Sequence, residues 1–360
     1  MKIGILTYHR TYNYGGCLQA LATRLVLEEM GHEVFYIDYW PSYHSDEYKI
    51  LSFRKLFKLS GISKLKYLKH SLVSAKIKFE QRKIFEAYHE IYTYPYCKSM
   101  TDEFDLVIYG SDQIWRKQVA ISAYNPIYFG NNNIVSKRHA SYAASMGTLP
   151  SDNEDIVNVL GMLRRMDYIS VREDDLKDFL LGNGFVSVVQ VLDPTLLVES
   201  EKWLISLRPS RYDGKKYILV YALWEDVFNI DSVKKFAKGA RLEIKILHGN
   251  GVCDSADGKK MIDPVGFIQL ISNAEFVFTS SFHGLAFSII FHRQFFVSIK
   301  QHSARVKSLL ASLGLQSRFL PPMGKVPDNM DAIDYELIAR KLAKLKVHSI
   351  DYIRKITSEL

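Results

Sequence analysis

Three cysteines in 360 residues are too few, and too far apart, to staple a fold. Cys17, Cys97 and Cys253 show no CxxC spacing and no paired histidines. That excludes a disulfide framework and a cysteine-based zinc site, and points to a reducing compartment. Long apolar runs are missing too: no stretch approaches the roughly 18–20 residues that a membrane span needs. The Met1-Lys2-Ile3-Gly4-Ile5-Leu6 start is too short and polar for a secretion signal and reads as a first strand. A soluble cytoplasmic protein is expected. Several catalytic signatures are absent: HExxH, the GxxxxGK[ST] phosphate loop, the GxSxG elbow and a DxD flanked by apolar strands. Nothing supplies a clear metal-ligand set, so no metal is expected.

What the chain has is bulk. Its length exceeds what one hydrophobic core usually serves, so two domains of roughly 150–200 residues are expected. A hydrophobic share of 48% against 24% charged fits a globular chain and excludes a largely disordered one. The 22 Tyr and 20 Phe exceed the needs of a minimal core, and tyrosine commonly faces sugars. The net charge of +8 is local. Eleven Lys/Arg against the single acid Glu80 lie between Lys49 and Lys83, which leaves the remainder about neutral. Leu51, Phe53, Leu56, Phe57, Leu59, Ile62, Leu65, Tyr67 and Leu68 run between those charges, giving basic amphipathic helices. Such helices suit an anionic membrane surface, at the inner face of the cytoplasmic membrane, or a polyanionic, lipid-linked substrate. A solvated helical face is the plain alternative. No nucleic-acid partner is expected, because no reading helix or RNP-type motif is present.

The organisation reads from strand and helix periods. Lys2–Tyr8 is a strand, then comes the turn Thr11-Tyr12-Asn13-Tyr14-Gly15-Gly16. A helix follows with Leu18, Leu21, Ala22, Leu25, Val26 and Met30 on one face, stopped by Gly31. Val34–Ile37 completes a βαβ opening, with Asp38 at its end. Further strands are expected at Asp105–Tyr109, Arg138–Ala143, Tyr168–Val171 and 187–192, with helices at 152–165 and 173–181. The polar stretch from Glu199 to Gly214 reads as a domain boundary. Beyond it, strands are expected at Tyr217–Tyr221, Leu242–Leu247, Phe276–Thr279 and Phe295–Ile299. Helices are expected at 226–238, from Asp263-Pro264 through Ser272, from His283 to about His292, and from a Ser303 cap to Gly314. Residues 333–358 read as helical and should pack back on the first domain. The expected fold is α/β, with two Rossmann-like domains facing a cleft.

In open parallel sheets, ligands bind beyond the carboxyl ends of the strands. That rule selects four spots. Asn13, Tyr14, Gly15 and Gly16 form a strand-to-helix turn whose backbone N–H groups suit an anion or a sugar hydroxyl. The glycines can equally serve only a tight turn, and GxGxxG spacing is absent. Ser111-Asp112-Gln113 offers a carboxylate and an amide for sugar hydroxyls, with Asp112 able to act as a base, or simply a helix cap. Arg172 heads a helix and can hold a carboxylate or phosphate, or pair with Glu173 or Asp174. The sharpest spot is Thr279-Ser280-Ser281-Phe282-His283-Gly284, a histidine at a strand mouth and a helix N-terminus where an anion also binds.

These segments carry a resemblance. Asn13-Tyr14-Gly15-Gly16-Cys17-Leu18-Gln19-Ala20, Tyr109-Gly110-Ser111-Asp112-Gln113-Ile114-Trp115 and Ser141-Tyr142-Ala143-Ala144-Ser145-Met146-Gly147 form the first half of it. Ile169-Ser170-Val171-Arg172-Glu173, Leu192-Asp193-Pro194-Thr195 and Thr279 to Ser288 complete it in order over about 275 residues. The chain so resembles the polysaccharide pyruvyl transferase family. The resemblance implies a fold like the GT-B glycosyltransferases and ketal formation from phosphoenolpyruvate onto two hydroxyls of a hexose, in a capsule, exopolysaccharide or cell-wall precursor. Phosphoenolpyruvate is then a co-substrate and no cofactor is needed.

On that reading His283, Arg172 and Asp112 are catalytic. Arg172, Ser280, Ser281, His283, Gly284 and Arg305 bind the donor. Asn13, Tyr14, Gly15, Gly16, Asp112, Gln113 and Trp115 bind the acceptor. Residues 1–200, with the basic segment 49–90, are the acceptor side, 201–330 the donor side, and 331–360 the returning helices. One departure stands out: some members carry an arginine where this chain has Ser281, and Arg305, Lys300 and Arg293 are the substitutes available. A GT-B nucleotide-sugar glycosyltransferase and a non-catalytic glycan-binding component are the competing readings.

Overall fold

The computed structural model describes residues 1–44, 60–224, 226–300, 304–328 and 331–358, apart from the side chains of residues 68, 70 and 73. Residues 49–59 of the basic segment, which hold Leu51 to Leu59, and the Ser303 cap lie outside the described residues.

The first sheet is parallel, in the order β3-β2-β1-β4-β5. Its strands are β1 (Lys2–Leu6), β2 (Glu33–Ile37), β3 (Cys97–Lys98), β4 (Phe104–Tyr109) and β5 (Ser136–Ser141). Helix α1 (Tyr14–Glu29) crosses from β1 to β2, and α2 (Gly61–Tyr92) leads into β3. The short pair β6 (Ile169–Val171) and β7 (Val188–Gln190) continues the sheet through bridges from Ala140 to Tyr168 and Ala144 to Val171. Two further helices belong to this half, α3 (Asn153–Leu163) before β6 and α4 (Asp174–Gly182) between β6 and β7. Within the polar stretch after Glu199 lies α5 (Ser200–Leu207), which the sequence pattern hides. Its Trp203 is fully buried, edge-on to Phe287 at 5.1 Å.

The second sheet has the order β11-β10-β9-β8-β12-β13. Its parallel part is β8 (Tyr217–Ala222), β9 (Glu243–His248), β12 (Phe276–Thr279) and β13 (Gln294–Val297). An antiparallel hairpin, β10 (Val252–Ser255) and β11 (Gly258–Met261), closes one edge. The strands Val252-Cys253-Asp254-Ser255 and Gly258-Lys259-Lys260-Met261 are short and show no apolar alternation, so the Asp257-Gly258 turn dipeptide alone marks this hairpin in the sequence. Four helices accompany this sheet: α6 (Ile230–Ala240), α7 (Pro264–Ser272), α8 (Phe282–Ile290) and α9 (Ala304–Leu313).

Short polar residues start the helices where the sequence places them. Asn13 caps α1 by accepting the Gly16 N–H, Asp263 caps α7 through Gly266, and Ser281 caps α8 through Gly284. Every residue of α8 is buried, since it packs on β12 and β13 of its own sheet and is covered by α1 and the 194–197 turn of the first half. The main apolar cluster runs through both halves, from Ile3 and Leu18 to Phe287 and Leu310. Helix α10 (Tyr335–Thr357) does pack back on the first half. The Tyr352 hydroxyl donates to the Ser141 carbonyl at 2.8 Å, and Ser349 Oγ accepts the Leu192 N–H at 3.0 Å. Two Rossmann-like domains thus face a cleft, in a GT-B-like arrangement.

Candidate active site

The loops at the carboxyl ends of β1, β4, β8 and β12 meet around a cleft of about 330 Å³ between the sheets. Asn13, Asp112, Gln113, Ser280, Ser281 and His283 all line it, and Arg305 from the first turn of α9 joins them. Residues from both halves of the chain therefore share one site.

His283 sits in the first turn of α8, 6% exposed. Its ring lies against Gly15, at the start of α1. On the other side its Nε2 is 3.7 Å from Asp193 Oδ2, within ion-pair reach but too long for a hydrogen bond. Two helix N-termini thus converge here, each carrying partial positive charge.

Asp193 is the hub that the sequence does not reveal. Its Oδ1 accepts the Thr195 N–H at 3.0 Å and the Thr195 hydroxyl at 2.6 Å. Its Oδ2 accepts Arg172 Nη1, with Ser111 Oγ at 3.4 Å. Burial alone would raise this carboxyl, but the Arg172 charge first, then His283, hold it well below the usual carboxylate range. A fixed negative charge therefore stands behind the histidine. In the sequence Asp193 stands in one of the segments that carry the family resemblance, but no residue near it in the chain points to this role.

Arg172 pairs with Asp193 and not with Glu173 or Asp174. It lies beneath Phe282, with Cζ 4.8 Å from the ring centroid, and lines a smaller pocket behind the cleft instead of the cleft itself. Arg305 Cζ is 5.7 Å from the same ring, so Phe282 carries two guanidiniums. Arg305 Nε faces Glu173 Oε1 at 3.8 Å. Burial, helped by the like charge of Arg172, brings Arg305 down to about 10. Burial raises Glu173, although Arg172 and Arg305 pull the other way, and the Ser145 hydroxyl donates to it. Arg172 Nε and Nη2, Arg305 Nε and His283 Nε2 have no hydrogen-bond partner among the described residues. Buried donors of that kind suit an anion.

Of the three substitutes for the arginine absent at Ser281, Arg305 is the one at the cleft. Arg293 is spent on the carbonyls of Phe291 and Ala274, and exposed Lys300 does not line the site. Other expected ligands serve as walls. Tyr14 reaches across to the Ile262 carbonyl at 2.7 Å and stacks on Phe267, and Trp115 is buried with Nε1 on the Tyr128 carbonyl. Gly16 and Gly284 allow close packing: a Cβ on either would come 2.2 Å from Thr11 Cγ2 or 2.1 Å from Thr279 Oγ1. Conversely, Tyr8, Trp40, His44, Arg116 and Trp224 line the cleft although no sequence motif marks them. Trp40, His44 and Trp224 follow β2 and β8, so the strand-end rule could have found them. Among the described residues no group of His, Cys, Asp or Glu could hold a metal ion.

The family model of polysaccharide pyruvyl transferases matches residues 13–303. The chain belongs to that family. Among solved structures, the chain is similar to UDP-GlcNAc 2-epimerase from Methanocaldococcus jannaschii, at TM-score 0.50 and 12% identity over 100% of both chains. It is also similar to E. coli heptosyltransferase WaaC with ADP, at TM-score 0.41 and 11% identity, over 96% of this chain and 100% of that one. At such identities the first likeness shows the fold alone. No curated protein matches the sequence. The matched residues of the pyruvyl transferase family include the Asn13 turn, Asp112, Arg172, Asp193 and His283, while Arg305 falls just beyond them.

Proposed function

We propose that this protein transfers the pyruvyl group of phosphoenolpyruvate to two hydroxyls of one hexose in a surface polysaccharide or its lipid-linked precursor, releasing phosphate. The observation that carries this reading is the charge arrangement of the cleft. His283 and Arg305, backed by Arg172, bring positive charge from one side, and Asp112 and Gln113 bring an acceptor-oriented carboxylate and amide from the other.

The chemistry asks for that division. One sugar hydroxyl attacks C2 of the enol phosphate, forming the first C–O bond, while C3 takes a proton and becomes a methyl group. The C2–O bond to phosphate then breaks, phosphate leaves with the electron pair, and the second hydroxyl closes the ketal as its proton passes to the released phosphate. His283, with the Asp193 carboxylate behind it, supplies the proton to C3. Asp112 receives the proton of the attacking hydroxyl, and Asn13 and Gln113 orient the sugar. Arg305 at the cleft stabilises the charge on the donor's carboxylate and departing phosphate, with Arg172 adding positive charge from behind Phe282, and removal of one such group commonly costs about 100-fold. No cofactor beyond the donor is invoked, and the reaction is placed on the cytoplasmic side.

Steady-state phosphate release by His283→Ala and Arg172→Ala tests the assignment. Each should fall at least ~100-fold. A near-normal rate in either variant removes that residue from the mechanism.

A further inference from the structure

Helix α2 has two working faces. Its inner face carries buried Phe85, Tyr88 and His89, and is tied to the turn that enters the cleft. His89 Nε2 stands 3.1 Å from the Thr11 carbonyl, Gln81 Nε2 donates to the Tyr12 carbonyl at 3.5 Å, and Phe85 packs on Tyr14 with centroids 5.5 Å apart. Its outer face is not that of a solvated helix. Leu65, Leu72 and Phe79 recur every seven residues and are 73%, 76% and 63% exposed. Exposed Lys69, Lys76 and Lys83 keep the same period, each one helical turn after an apolar residue. Between residues 60 and 83 there are seven Lys/Arg, and the one acid, Glu80, faces Lys76 at 4.0 Å.

We propose that this face rests on an anionic lipid bilayer. Leu65, Leu72 and Phe79 enter the boundary between headgroups and acyl chains, and Lys69, Lys76 and Lys83 extend along it to lipid phosphates. From Leu65 to Lys83 the stripe is about 27 Å long, an extended footprint that lies along a surface. Neither α2 nor any other helix among the described residues is long and apolar enough to cross a membrane. Pairing with a second copy is disfavoured by the same heptad. It would set a column of lysines, not a second apolar column, into the seam. Anionic lipid neutralises those lysines, whereas another α2 repels them. Docking would leave the Thr11–Gly16 turn propped by the same helix that meets the bilayer, on the wall where Asn13 lines the cleft. The inference stands on the helix alone and does not depend on the pyruvyl chemistry.

Co-sedimentation of the full chain with phosphatidylcholine vesicles, with and without phosphatidylglycerol, tests it. The wild type should pellet with the anionic vesicles and stay in solution with the neutral ones. Two triple variants, Leu65→Ser/Leu72→Ser/Phe79→Ser and Lys69→Glu/Lys76→Glu/Lys83→Glu, should each weaken that partition at least about tenfold. Both should keep the wild-type unfolding midpoint, because the altered residues are exposed. Equal partition with both vesicle types, or variants that bind as the wild type does, overturns the proposal. So does a dimer in sedimentation velocity that the serine variant dissolves while vesicle binding survives.

Discussion

A Cβ atom on Gly15 would stand 2.0 Å from Nδ1 of His283. The first turn of α1 and the first turn of α8 therefore meet at the cleft with room for a hydrogen and nothing larger. The histidine is held between that glycine and the Asp193 carboxylate, and its position depends on both.

Gly15→Ala should push the imidazole off its place. Phosphate release should fall by at least about tenfold, with a stability loss of about 1–3 kcal/mol from the overpacked contact. Gly161, in α3, is the control, since a Cβ there would meet nothing within 4 Å. Gly161→Ala should leave the rate alone and stabilise the chain by about 0.5–1 kcal/mol. Parallel rate assays and denaturant titrations read both, and a Gly15→Ala enzyme of normal rate contradicts the contact's importance.

Arg305 and Arg293 make opposite predictions. Arg305→Ala should lower kcat/KM for phosphoenolpyruvate about 100-fold, because it removes a cation from the donor wall. Arg293→Ala should change the donor KM little, since that guanidinium is occupied with backbone carbonyls away from the cleft. If the two variants behave alike, Arg305 does not fill the role left open at Ser281.

Trp224 and Trp115 separate binding from packing. Trp224 is 44% exposed at the cleft, so Trp224→Ala should raise the acceptor KM at nearly unchanged stability. Trp115 is fully buried, so Trp115→Ala should cost about 3–5 kcal/mol while the acceptor KM of the folded enzyme stays put. Acceptor titrations alongside unfolding curves distinguish the two.

The buried acids set the pH response. Asp193 is depressed, so its contribution is complete above its unfolded value near about 3.9 and is lost only as the pH falls further. Glu173 is raised, so its ionisation costs stability as the pH climbs past its unfolded value near about 4.3. Glu173→Gln should therefore gain on the wild type as the pH rises from that point toward neutrality. Asp193→Asn should lose about 3–5 kcal/mol at neutral pH, because Arg172 is left buried and unpaired. Thermal scans across the acid-to-neutral range check both signs; a Glu173→Gln advantage that shrinks with rising pH contradicts the first.

Much of the fold is legible in the sequence because local periods and caps agree with the tertiary outcome. Asp263-Pro264 announces a helix start, and Asp263 caps α7 there. The strand-end rule alone puts Asp112, Ser281 and His283 on one cleft, where the fold brings them together. What escapes depends on contacts distant in sequence. Asp193 looks like an ordinary turn residue until Arg172, Ser111 and His283 arrive from other elements. Tyr14 and Trp115 look like sugar platforms in a motif, but burial against Phe267 and Tyr128 turns them into walls. The β10–β11 hairpin carries no apolar alternation to betray it, and α5 is an eight-residue helix of which Trp203 and Leu207 alone are buried.

The central claim is best tested by phosphate release from phosphoenolpyruvate with galactose-, glucose-, mannose- and N-acetylhexosamine-bearing acceptors, followed by mass spectrometry of the sugar. The account predicts release that requires an acceptor, a mass gain equal to pyruvate less water, and loss of both in His283→Ala. No release and no thermal shift with phosphoenolpyruvate, together with a shift by a UDP- or GDP-sugar, would contradict it and assign the cleft to glycosyl transfer.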